Sequence, residues 1–271
     1  MKWIQFIRFD LIQYARNRLL IGFSLLMGLI ASSYLITGTD FEGYYDGFNR
    51  AVIHLLNVNL YLLPLLVLLL GSIHNANEKE SGWMSLVLTY PISPLVLLLA
   101  RVSSLSLVLI AVLSLGYGLA SLIAALFAAT LPIKDFLILY GLSVSLIVLL
   151  TPLATCIGIL SKTRFQAISI ALASWAFLVL LYDFLILFLI RSIPPHVFEW
   201  GLTLVVALNP IQLVRVLVIM IMDGGVVFGP SLYQFTAFVQ SVSGIILIIG
   251  CAVVWISLPV LIGLFHLRRR T

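Results

Sequence analysis

Charge is what this chain has least of. Only 9% of its residues are Asp, Glu, Lys or Arg, while 62% are hydrophobic and the mean hydropathy is +1.20. Such a chain cannot enclose its apolar surface in one water-soluble core, which makes lipid its solvent. Cysteine is nearly missing too. Cys156 and Cys251 lie inside apolar runs and read as small buried hydrophobes, not as a disulfide or a metal pair. No GxxxxGK[ST] motif is present, which excludes nucleotide binding by a phosphate loop, and there is neither an HExxH nor a CxxC motif. His54, His74, His196 and His266 are scattered over different segments, and Met220 and Met222, two apart on a helix, would point away from each other. Neither catalytic nor metal-ligating residues are therefore expected. Lys2, Arg8, Asp10, Arg16 and Arg18 crowd the first turns and leave no room for a cleavable signal sequence.

What is there is a series of apolar stretches, each near the roughly 20 residues that a helix needs to cross a bilayer. The pattern predicts an all-α membrane protein with six transmembrane helices, an N-terminal interfacial helix and a re-entrant helical hairpin before the last span, forming one domain over 1–271. Residues 2–17, within an N-terminal segment 1–18, read as a surface helix. Trp3, Ile7, Leu11 and Tyr14 share a stripe opposite Lys2, Gln5, Gln13 and Arg16, with Phe9 and Asp10 interrupting the pattern. The spans are expected at about 19–37, 51–73, 94–130, 136–160, 167–190 and 239–264. Ser93-Pro94 reads as a helix start, Ser93 capping and Pro94 taking the first helical position. The third helix is longer than a bilayer requires, so its Arg101 end is expected to reach water or to snorkel. Pro152 is expected to kink the fourth.

Residues 191–238 form an outer segment in which Asn209-Pro210 breaks an apolar run that is followed by Arg215. Neither half is long enough to cross, so a re-entrant pair is expected. With six spans and both termini cytosolic, Lys2, Arg8, Arg16, Arg18, Lys79, Arg101, Lys162, Arg164 and Arg268 to Arg270 fall inside. Only Arg50, Lys134, Arg191 and Arg215 fall outside, a clear positive-inside bias.

Few polar groups interrupt the spans. Asn57 and Asn59 mark a helix that does not face lipid all round. Asp183, within the fifth span, is either paired with Arg215 or Arg191 or hydrated near the outer surface. Residues 74–93 are the longest polar interruption, and Glu78, Lys79, Glu80, Ser81 and Gly82 at its centre are suited to docking a partner.

At four places the chain resembles the membrane subunits of type-2 ABC transporters. These are the N-terminal surface helix leading into the first span; Asn77 to Gly82, followed by Leu86-Val87-Leu88-Thr89-Tyr90-Pro91-Ile92-Ser93; Leu208-Asn209-Pro210 with Arg215-Val216-Leu217; and Leu264 to Arg270. Tyr90 to Ser93, Leu181-Tyr182-Asp183-Phe184 and Leu208 to Pro210 are most similar to the permeases that serve maturation of nitrous oxide reductase. The chain departs from the family pattern at Ala100-Arg101, where Gly-Lys is usual, and at Trp83, where a small or polar residue is. The resemblance implies that Glu78 to Gly82 belong to a coupling helix seated in a cytosolic ABC ATPase, which alone would bind ATP and magnesium. It implies a homodimer in the bacterial inner membrane, a periplasmic partner, no cofactor and no ATPase site on this chain, and service to a copper-sulfur site. Asn209, Pro210 and Arg215 would belong to the re-entrant gate. A permease for a drug, lipid or ion, or a solitary carrier using Asp183 and His54, stands as the alternative.

Overall fold

The computed structural model describes residues 2–15, 18–37, 50–89, 93–127, 133–192, 208–221 and 241–268, and these are almost wholly helical. In order they are α1 (Lys2–Ala15), α2 (Arg18–Thr37), α3 (Arg50–Glu80), α4 (Trp83–Leu88), α5 (Pro94–Leu126), α6 (Ile133–Leu160), α7 (Arg164–Trp175), a π-helical segment (Ala176–Leu181), α8 (Tyr182–Ser192), α9 (Pro210–Ile221) and α10 (Val242–Arg268). Among the described residues, five stretches are long and apolar enough to cross a membrane: α3 from His54, α5, α6, α7 with its continuation to Ile186, and α10. α2, where the first span is expected, carries a shorter apolar stretch, Leu20–Ser33. The chain is a multi-pass membrane protein. The first half of the expected re-entrant hairpin and the outer loop around Asp40–Asp46 lie outside the described residues.

α3, α5 and α6 form the centre, with α2 on α5, α7 on α3, and α9 and α10 on α6. Lipid tails are as apolar as the side chains they would meet, so the helices are held by close packing instead of by escape from water. Small residues permit this. A Cβ on Gly158 would lie 2.6 Å from the Ser72 carbonyl, so α3 and α6 touch backbone to backbone there. Gly28 and Gly116 do the same for α2 and α5, where a Cβ on Gly28 would stand 3.2 Å from the Gly116 carbonyl. Leu60, Leu63, Leu68, Leu105, Leu109, Leu146 and Leu150 fill the space between. α10 leaves most of its apolar face uncovered, including Ile246, Val253 and Leu261.

α5 begins where expected: it starts at Pro94, and the Ser93 hydroxyl accepts the Val96 N–H at 3.4 Å. α6 runs through Pro152 without interruption. Two expectations need correction. The second span does not give way to a polar loop at 74, because α3 continues to Glu80 and only Ser81 and Gly82 turn the chain into α4. Gly82, at φ 79°, takes the left-handed conformation that this turn requires. The fifth span is present from Arg164 to Ile186 and carries the π-helical segment within it. Finally, Arg101 neither reaches water nor snorkels: it is 4% exposed, because three helices converge on it.

Candidate functional site

The residues expected to dock a partner begin at the end of α3, where the helix leaves its apolar stretch. Asn75 and Glu78, three apart, present themselves on one face, and Glu78 meets Arg101 of α5 in an ion pair. Arg101 Nη1 also donates to Asn75 Oδ1 at 3.0 Å, so the guanidinium fork is shared between an amide and a carboxylate. One turn further along α5, the Ser104 hydroxyl lies 3.0 Å from Asp10 Oδ2 on α1. His74 completes the group, its Nε2 3.5 Å from Glu78 Oε1 and its ring stacked 4.3 Å from that of Tyr14. Asp10 and Tyr14, each 3% exposed, therefore lie on the packed face of α1, and the apparent interruption at Asp10 is a contact. Burial pushes the Asp10 carboxyl above its ordinary range, a shift opposed by the Arg101 charge and the Ser104 hydroxyl.

Asp10, His74 and Glu78 offer three ligand atoms within 4.8 Å of one another, the usual raw material of a cation site. Glu78 is already engaged by the Arg101 guanidinium, so the donor set reads as an ion-pair network instead.

The next residues face elsewhere. Lys79 Nζ donates to the Ile159 and Ser161 carbonyls, both at 2.6 Å, and so closes the C-terminal end of α6. Glu80 Oε2 accepts the Arg164 N–H at 3.0 Å, placing a carboxylate at the N-terminal end of α7. Glu78, Lys79 and Glu80 thus hold α5, α6 and α7 in turn. Exposed beside them are Ser81, Gly82 and, on α4, Trp83 and Leu86, the last two 39% and 50% exposed.

A second polar assembly lies on the π-helical segment and α9. In the π register the Tyr182 N–H donates to Phe177 and not, as in an α-helix, to Leu178. The Asn209 amide fills that place, donating to the Leu178 carbonyl at 2.7 Å while its own oxygen accepts the Ile211 N–H at 2.9 Å. Pro210 opens α9, and Gln212 and Arg215, one turn apart on it, both reach Asp183. Arg215 Nη1 stands 3.1 Å from Asp183 Oδ1, so Asp183 is paired. Asn59, buried in α3, donates to Tyr117 of α5 and to Ser143 of α6, the latter at 3.1 Å. Asn57 is exposed.

Sequence reasoning singled out Glu78, Asp183 and Arg215 but missed Asp10, His74, Asn75, Arg101 and Ser104 as one group. A usable signal existed: Asn75 and Glu78, His74 and Glu78, and Arg101 and Ser104 are spaced three or four apart on otherwise apolar helices.

No protein-family model matches the chain. Two curated relatives do, and both carry the description "Probable ABC transporter permease protein NosY". The protein from Pseudomonas aeruginosa is 29% identical over 218 residues, 78% of each chain. The protein from Stutzerimonas stutzeri is 25% identical over 265 residues, 94% of each chain. The resemblance to a NosY-like ABC transporter permease thus extends over most of the molecule.

Proposed function

We propose that the chain is the permease subunit of an ABC transporter of the NosY kind. It works as a homodimer in the bacterial inner membrane, with both termini in the cytoplasm. A cytosolic NosF-like ABC ATPase, carrying the ATP and magnesium, powers it, and a NosD-like periplasmic subunit receives its movement. The output is export, or a conformational signal, that serves maturation of the copper-sulfur site of nitrous oxide reductase.

The similarity to the two NosY proteins carries this reading. The α3–α4 turn supports it. Glu78 and Lys79 anchor the coupling segment to the bundle, while Glu80, Ser81, Gly82 and α4 form the part offered outward. A partner pulling on that turn pulls at once on α5, α6 and α7, which is how a local contact becomes movement of packed helices. Asn209, Pro210 and Arg215 close the other assembly as a gate, and Asn59 and Asp183 serve as helix contacts.

The test is co-purification with the proposed cytosolic ABC ATPase. Trp83→Ala combined with Leu86→Ser should abolish complex formation and ATPase stimulation while leaving the permease in the membrane. Unchanged binding and stimulation would overturn the docking surface, and failure of the unaltered chain to bind any ABC ATPase would overturn the reading itself.

A further inference from the structure

The network around Arg101 contains more negative groups than its one cation can balance. The titratable or charged residues that face one another there, among the described residues, are Asp10 and Tyr14 on α1, His74 and Glu78 on α3, and Arg101 on α5. Two carboxylates stand against one guanidinium, and all three groups are buried: Asp10 is 3% exposed, Glu78 7% and Arg101 4%. An unbalanced charge in such surroundings is costly, and the usual remedy is a proton.

The contacts of the two carboxyls indicate which one takes it. The Ser104 hydroxyl has one hydrogen but two oxygens within reach, Asp10 Oδ2 and the Arg101 carbonyl, both at 3.0 Å. The hydroxyl donates to Asp10 Oδ2 and to that carbonyl, so Asp10 has only a shared neutral donor where Glu78 has a full positive charge. Glu78 already has the guanidinium. A proton on His74 would place a second cation beside Arg101. Burial raising the Asp10 carboxyl agrees with these contacts.

We infer that Asp10 is a proton-binding site: it holds a proton while α1 is docked on α3 and α5, and gives it up when α1 leaves. The sign follows from the raised carboxyl. The docking contribution is complete below the ordinary carboxylate value and is lost as pH rises through Asp10's higher one. The segment before the first span is thereby a proton-linked element, whatever the chain transports.

The experiment uses the full chain in lipid nanodiscs, with infrared difference spectroscopy between acid and alkaline conditions and hydrogen exchange of the α1 amides. The unaltered chain should show a protonated-carboxyl band whose loss on raising the pH coincides with faster α1 exchange, beyond the intrinsic pH effect. Asp10→Asn should remove both the band and the pH dependence, with α1 protected throughout. Glu78→Gln frees Arg101 for Asp10, so the band should vanish although Asp10 remains. A band undiminished in Asp10→Asn would overturn the proposal. So would α1 exchange that responds to pH equally in both proteins, or a divalent ion that co-purifies with the chain and keeps both carboxylates ionised until chelated.

Discussion

Two charged assemblies hold this bundle, and they solve the same problem with different stoichiometry. Around Arg101 one guanidinium serves Glu78 directly and Asp10 by proximity, with side-chain exposures of 4% and 9% across the ion pair. Around Asp183 one guanidinium serves one carboxylate, with Gln212 helping and exposures of 23% and 33%. Asp183 lies nineteen residues along the α7–α8 rod from Arg164, which meets Glu80, so roughly 28 Å separates the two. The half-open pair is balanced and can be broken at small cost. The closed one joins three helices and, among the described residues, has no spare cation. The first suits a contact that opens freely, the second a joint between α3 and α5 from which α1 parts only with the loss of a proton.

Arg101→Met should give the largest effect. It leaves Glu78 buried without its partner, at a cost of about 3–5 kcal/mol, and thermal unfolding in detergent should show the chain failing to hold its fold. Arg101→Lys sharpens the point, because an ammonium cannot serve Asn75 and Glu78 in the guanidinium's planar fork; its loss should fall between that of Met and none. Asn209→Ala comes next. It removes the donor to the buried Leu178 carbonyl, costs about 1–3 kcal/mol, and should speed hydrogen exchange within the π-helical segment. Arg215→Met should be smallest, about 1 kcal/mol or less, since its pair is half-open. Equal losses for Arg101→Met and Arg215→Met would erase the distinction between joint and latch.

Much of the fold was legible in the sequence because lipid leaves few options: apolar stretches of the right length must be helices. The Ser93-Pro94 start and the helix after Asn209 followed from local chemistry that tertiary contacts did not override. The end of α3 was not legible, because His74-Asn75 and Glu78-Lys79-Glu80 look like solvated loop residues unless the opposing groups are known. Each of those side chains is matched by a residue far away in sequence, such as Arg101 for Glu78 and the Ile159 carbonyl for Lys79. Asp183 marks the boundary between the two cases. Its partner could be narrowed to Arg215 or Arg191, but only the arrangement of α9 selects Arg215.

The π-helical segment has a geometric effect on everything after it. Each residue of an α-helix turns about 100° around the axis, so one extra residue in a turn rotates the remainder by about that angle. Without Ala176–Leu181 in this register, Asp183 would point roughly a quarter-turn away from Gln212 and Arg215. The rod between Arg164 and Ser192 thus works as a bolt whose angular setting leaves one carbonyl, that of Leu178, to the Asn209 amide.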